Sequence, residues 1–301
     1  MKIILSGLPY FVKKLAVELN DFHKSIKFIP LDINGSMVDK LKFLWHIPTA
    51  KVLYFHSGGI DRSFATDIAL FLRKKVVMNW AGTDVLKAIK NYKAGRYKAG
   101  HITKVKHYCV APWLKEELAT IGVEAELLPV TVLNKQNNIN SNFPEKFTVL
   151  TYIGKNREKF YGIDTVIKLA DDFKDIDFRV AGIDGYKGLK CENIKFLGWI
   201  DDMQKEYANC SVFLRDTEHD GMPFSVIEAL SFGKPVLFNK KYPYVVYFEG
   251  YEDLTSKLKK LIDLHNKGEL KINEEAKAFV EDEFNREKVL GNFIKTLKAG
   301  G

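Results

Sequence analysis

Cysteine is scarce in this chain. Cys109, Cys191 and Cys210 are the three among 301 residues, far apart and in no C-x2-C or His/Cys grouping, which excludes a disulfide framework and a thiolate zinc site and fits a reducing compartment. The seven histidines are scattered without an H-x3-H pair, so no metal site is expected. No window reaches the ~18 uninterrupted apolar residues that cross a bilayer. The opening MKIILSGLPYFVKK has one leading Lys, a Gly-Leu-Pro interruption and no small-residue cleavage site, so it reads as strand, turn at Gly7 and helix rather than as a secretion signal. Nor is there an internal repeat with a period of 20–50 residues. These absences leave a cytoplasmic globular protein, with attachment to the cytoplasmic membrane face as its peripheral option.

What is present is length and rhythm. At 301 residues, 46% hydrophobic and 28% charged, the chain exceeds the roughly 250 to 300 residues at which one core usually divides. Short β-branched runs alternate with amphipathic stretches, which predicts βα units and parallel sheets. Strands are expected at 2–6, 26–30, 52–55, 76–79, 107–110 and 126–129, with helices such as 11–20, 62–73 and 113–121 between them. An Asn-rich stretch without periodicity, 134–146, reads as a linker. The rhythm restarts with strands at 147–153, 178–181, 194–197, 211–214 and 235–238 and helices near 162–172, 202–209, 223–232 and 253–266, and the tail 274–298 reads as two helices. The expected architecture is α/β: two Rossmann-like, doubly wound parallel-sheet domains facing a cleft, 1–133 and 147–283. Charge divides too. Residues 1–143 carry 21 Lys+Arg against 11 Asp+Glu, a net +10, leaving −2 for the remainder.

The stretch 216–235, DTEHDGMPFSVIEALSFGKP, sets Asp220 and Glu228 eight positions apart around a loop that becomes a helix. Gly221 allows close backbone approach, and Pro223 suits the first helical position. Amides at such a helix start face a phosphate, and a carboxylate one to two turns in, at Glu228, has the acceptor chemistry to hold a vicinal diol such as a ribose. An ordinary surface loop before an amphipathic helix has the same spacing.

Taken with its surroundings, this stretch resembles the GT-B glycosyltransferases, specifically the retaining family 4 (glycosyl transferases group 1). The family's E-x7-E followed by A-x3-G-x-P-V stands here as Asp220-x7-Glu228, Ala229, Gly233, Pro235 and Val236. Residues 107–130, 149–173, 193–214 and 284–297 resemble, in order, the close of the first domain, the strand, basic loop and helix opening the second, the strand-helix-strand before the acidic motif, and a last helix that returns to the first domain, here 284–301. The resemblance implies a hexosyltransferase-like enzyme using a nucleotide-sugar donor, UDP-sugar favoured over GDP-sugar, and no cofactor. A glycan or lipid-linked acceptor would lie on the basic first domain. Two departures stand out: the first acid is Asp, and Trp80-Ala81-Gly82 replaces a V-H-G-like stretch, so that histidine's role has no residue here.

A departing diphosphate needs positive side chains and helix amides around it. The loop 154–159 supplies Gly154 and three cations after a strand; Arg157 is favoured for its planar fork, with Lys155 or Lys159 beside it. Glu228 is assigned to the ribose. Leu197 and Trp199, in FLGW, resemble the strand end that reads the base, or form core and turn. Gly221, Met222, Pro223 and Phe224 would meet the sugar and phosphates, and Gly7 the first glycine turn. Arg215 reaches a phosphate or makes a structural pair. In the first half His56 and Asp84, each after a strand, are candidates to assist the acceptor hydroxyl, with Asp220 beside the sugar; Thr83-Asp84 equally suits a helix start. No nucleophile is assigned.

Residues 87–108 hold seven Lys+Arg and no acid, interleaved with Tyr92 and Tyr97. The segment suits an anionic membrane surface, a polyphosphate acceptor or plain solvation; no nucleic-acid recognition motif accompanies it. Rival readings are a nucleotide-sugar epimerase or hydrolase, and a catalytically degenerate module that binds nucleotide sugar or membrane.

Overall fold

A strand covered on both faces must be apolar at nearly every position, whereas a half-exposed one alternates. Val52–His56 is buried throughout and Lys75–Trp80 at all but its first residue, the mark of a parallel sheet between two helical layers. A computed structural model describes residues 1–133 and 141–299; within the expected linker, 134–140 lie outside the described residues. The chain forms two units: Met1–Val132 with Asp220–Met222 and Arg286–Gly301, and Leu133–His219 with Pro223–Asn285.

The first unit runs β1 (Lys2–Gly7), α1 (Pro9–Phe22), β2 (Lys27–Pro30), α2 (Met37–His46), β3 (Val52–His56), α3 (Phe64–Phe71), β4 (Lys75–Trp80), α4 (Thr83–Lys93), α5 (Ala99–Thr103), β5 (Lys106–Cys109), α6 (Pro112–Ala119) and β6 (Ala125–Leu127). Its sheet is parallel, in the order β2-β1-β3-β4-β5-β6. Local chemistry sets the helix starts. Pro9 and Pro112 open α1 and α6, where a missing N–H costs nothing. Ser36 and Ser63 accept the amides of Asp39 and Thr66 at the starts of α2 and α3.

The second unit runs β7 (Thr148–Tyr152), α7 (Ile163–Asp172), β8 (Asp177–Ala181), β9 (Ile194–Gly198), α8 (Gln204–Ala208), β10 (Val212–Arg215), α9 (Phe224–Ser231), β11 (Val236–Phe238), β12 (Val246–Tyr247), α10 (Gly250–Asn266) and α11 (Glu274–Glu283). Its sheet, again parallel, is ordered β12-β11-β10-β7-β8-β9. Ile163, Val166 and Leu169 recur at helical spacing along α7 and pack with Val149, Phe178, Val180 and Leu258 in one core.

The last helix, α12 (Arg286–Lys298), packs in the first unit. Phe293 meets the Tyr54 ring edge-on at 4.9 Å, and Arg286 pairs with Glu18 at 2.7 Å and Asp21 at 2.8 Å. The α/β, doubly wound expectation holds in each unit, with strand ends shifted by a residue or two. β12 was not foreseen; two residues carry too little periodicity to stand out.

Candidate functional site

In an open parallel sheet a crevice forms where strand order reverses, outside the carboxyl ends of the two strands there. In the second unit that point lies between β7 and β10, so the basic loop after β7 and the acidic loop after β10 are neighbours. Their backbones are fastened together. The Glu218 amide donates to the Phe160 carbonyl at 3.0 Å. Gly162 has φ +78°, and a Cβ there would stand 2.7 Å from the Asp216 carbonyl oxygen; only glycine permits both the turn and the approach. Asp216 is pinned in turn, one oxygen accepting from Thr165 Oγ1 at 2.6 Å and the other from Asn239 Nδ2 at 2.9 Å.

On this base the cations are displayed. Lys155, Arg157 and Lys159 are exposed. The Arg157 guanidinium lies 3.9 Å from the Phe160 ring centroid and forms no ion pair among the described residues, which leaves its donor edge to solvent. Lys159 meets Asp164 at 3.3 Å. Arg215 differs: it is buried, donates from Nη1 to the Tyr152 carbonyl at 2.9 Å and stands 4.6 Å from the Tyr161 ring. It braces the end of β7 against β10 beneath the loop.

Pro223 caps α9 with ψ 129° rather than occupying its first turn, and the helix begins at Phe224. Glu228 lies on α9, half-buried, where Oε2 accepts the Tyr207 hydroxyl at 2.9 Å. Burial and the adjacent carboxylate push the Tyr207 pKa well above the usual range, so the phenol stays a donor. At the end of β9 Leu197 is half-buried, while Trp199 is exposed with its indole N–H on Asp201 Oδ1 at 2.7 Å.

The first unit has its own reversal, between β1 and β3, where Gly7 pairs in register with His56 and the Leu8 amide donates to the His56 carbonyl at 3.3 Å. His56 is buried, stacked on Phe11 at 3.8 Å and 3.3 Å from the Tyr54 hydroxyl; burial pushes its pKa down to about 3, so it is neutral at pH 7. Asp84 gathers the loops after β3 and β4. Its oxygens accept the amides of Gly58 at 2.6 Å, Gly82 at 2.7 Å and Ala81 at 3.2 Å, while burial pushes its pKa up against those bonds. The peptide Asp220–Met222 packs in this unit too. Trp113 Nε1 donates to the Asp220 carbonyl at 2.8 Å, and a Cβ on Gly221 would fall 1.9 Å from the Ala81 carbonyl oxygen.

Gly154, Lys155, Arg157, Lys159 and Arg215 are thus grouped at one reversal and Gly7, His56 and Asp84 around the other, while Asp220 and Glu228 fall in different units. Sequence reasoning missed Asp216, Thr165, Asn239 and Tyr207. None carried a local signal, since each acts through a partner at least 21 residues away. In the segment 87–108, Tyr92 stacks on Tyr97 at 4.7 Å, and Lys98 and His101 both meet Asp67, at 2.5 and 2.9 Å.

Residues 134–282 match the sequence model of the family Glycosyl transferases group 1. No curated protein sequence matches the chain. Among solved structures it is similar to a sucrose-phosphate synthase from Thermosynechococcus elongatus, with a TM-score of 0.69, 11% identity and 100% of each chain covered. It is also similar to a glycosyltransferase from Rickettsia africae, at 0.68 and 14%, covering 99% of this chain and 98% of the other. A third likeness is to Anabaena Alr3699/HepE, solved in complex with UDP and glucose, at 0.67 and 13%, covering 99% and 100%. At such identities the shared property is the two-unit GT-B fold.

Proposed function

Because this chain is a glycosyltransferase of the GT-B fold whose residues 134–282 belong to the glycosyl transferases group 1, we propose that it transfers a sugar from a nucleotide-diphosphate donor, with retention of anomeric configuration, to a glycan or lipid-linked acceptor. The observation that carries this reading is the fastening of the 154–162 loop to the loop after β10 at the sheet reversal, which puts exposed cations beside the segment leading to α9.

In this reading Glu228, oriented by Tyr207, accepts the ribose hydroxyls. Arg157, with Lys155 and Lys159 near it, stabilises the departing diphosphate together with the first amides of α9, after Pro223. Leu197 and Trp199 border the base. Gly154 lets the diphosphate approach the backbone, and Gly221, Met222 and Phe224 border the sugar. Arg215 holds the loop from below. Retention follows from departure and attack on one face, with the leaving phosphate oxygen taking the acceptor proton, so no protein nucleophile is required. On the acceptor side Gly7 forms the turn, and neutral His56 offers a hydrogen bond rather than a charge. Asp84, with its oxygens already on three amides, shapes the loops around the acceptor, and orienting the donor sugar is assigned to Asp220.

Thermal melting with UDP, GDP and their sugars tests the donor site. A ligand at 100 times its dissociation constant stabilises by about 2.7 kcal/mol, and UDP is expected to give the larger shift. Arg157→Ala is expected to lower turnover at least tenfold while melting almost as wild type, because the residue is exposed. No shift with any nucleotide, or full activity in Arg157→Ala, overturns the reading.

A further inference from the structure

Helix α2 wears its apolar side outward. Met37, Val38, Leu41, Leu44 and Trp45 are all exposed, Trp45 at 81%, whereas Phe43 on the opposite side is buried. At 100° per residue those five side chains span an arc of about 120°, with Lys40 on one flank and Lys42 on the other. Water-facing helices ordinarily present the reverse pattern.

Helix α3, which meets the inner side of α2 through Phe64 and Phe43, carries a second exposed apolar stripe. Phe64, Ile68 and Phe71 recur at i, i+4 and i+7; Phe71 is 85% exposed, Leu72 follows it, and the Phe64 ring meets Phe43 of α2 at 6.3 Å. Arg73, exposed, closes this stripe. The acid at its edge, Asp67, is already paired with Lys98 and His101, and Asp39 of α2 holds the Asp32 amide at 2.9 Å and Lys42 at 3.3 Å. An apolar patch rimmed by cations, inside a half of the chain with net charge +10, calls for a partner that is apolar beneath an anionic surface.

We infer that the outer faces of α2 and α3 seat the first unit on an anionic lipid bilayer. The aliphatic arc and Phe71 enter the acyl boundary, Trp45 lies at headgroup depth, and Lys40, Lys42 and Arg73 meet lipid phosphates. A second copy of the chain fits less well, because a two-fold contact would press Lys40 and Lys42 against the same lysines of the other copy. This places the membrane contact on α2–α3 rather than on the segment 87–108. It is independent of the donor reading, since vesicle binding needs no turnover.

The test is co-sedimentation with large unilamellar vesicles of phosphatidylglycerol and phosphatidylcholine against phosphatidylcholine alone, at two salt concentrations. The wild type is expected to bind anionic vesicles, less so at high salt. Leu41→Ser/Trp45→Ser and Lys40→Glu/Lys42→Glu should each lower the partition constant at least tenfold; melting of the first should be unchanged, because its altered side chains are exposed, and the second should lose only the small contribution of the surface Lys42–Asp39 pair. Lys90→Glu/Lys93→Glu on α4 should stay within twofold of wild type. Absence of wild-type binding, wild-type binding by the α2 variants, or loss confined to the α4 variant overturns the inference. So does a dimer in sedimentation equilibrium that Leu41→Ser dissociates, which would make the face a self-association surface.

Discussion

Replacing Tyr207 by Phe isolates the orientation of Glu228 from its charge. The ring is 2% exposed and packs edge-on against Phe213 at 5.7 Å and parallel to Phe232 at 6.1 Å, so Phe refills the space and only the hydroxyl is lost. A hydrogen bond to a charged group contributes about 1.5–3 kcal/mol. Glu228 is half-buried and keeps access to water, so the low end, about 1.5 kcal/mol, is expected. Melting should therefore fall by about 3–5 °C, taking ~3 °C per kcal/mol for a unit of this size. If the bond aims the carboxylate at the ribose, the donor KM should rise five- to tenfold, about 1–1.4 kcal/mol, with kcat nearly unchanged. The effect should not vary between pH 6 and 9, since Tyr207 stays protonated well beyond that range. Steady-state kinetics with a UDP-sugar and melts with and without UDP read both quantities. A lower melting temperature with unchanged donor KM would show Tyr207 to be structural only, and unchanged donor affinity in Glu228→Ala would refute the ribose assignment itself.

Two further outcomes follow from the first unit. Burial pushes His56 down to about 3 and His107 to about 4, both below the unfolded value near 6.5, so the unfolded chain takes up protons that the folded one refuses. Stability is then full above pH ~6.5 and is lost as pH falls toward 4, by roughly 2 kcal/mol per histidine at pH 5; equal urea midpoints at pH 7.5 and pH 5 would contradict this. Gly221→Ala puts a Cβ 1.9 Å from the Ala81 carbonyl oxygen and 3.0 Å from Val110 Cγ2, so Asp220–Met222 must shift. Turnover should drop more than tenfold for about 1–3 kcal/mol of stability, and wild-type kinetics would show that this close approach has no functional role.

Much of this protein is determined locally, and those parts were legible in the sequence. Runs such as Val52–His56 are apolar because both faces of a parallel strand are covered, and α7 repeats Ile163, Val166 and Leu169 because one stripe is. The same holds for the basic loop after β7 and the D-x7-E stretch, whose chemistry lies within a few residues. Tertiary structure alone decided what joins distant segments. It fastened Asp216 to Thr165 and Asn239, gave Glu228 its phenol, tied Arg215 to the Tyr152 carbonyl and set Asp84 on the amides of two loops. It also turned the apolar arc of α2 outward. A helical pattern records that one side is apolar, but which side faces the sheet is fixed by packing, and here Phe43 took the inside. Local signals report what a segment can become; partners far apart in the chain are chosen by topology, and a sequence read in windows does not contain them.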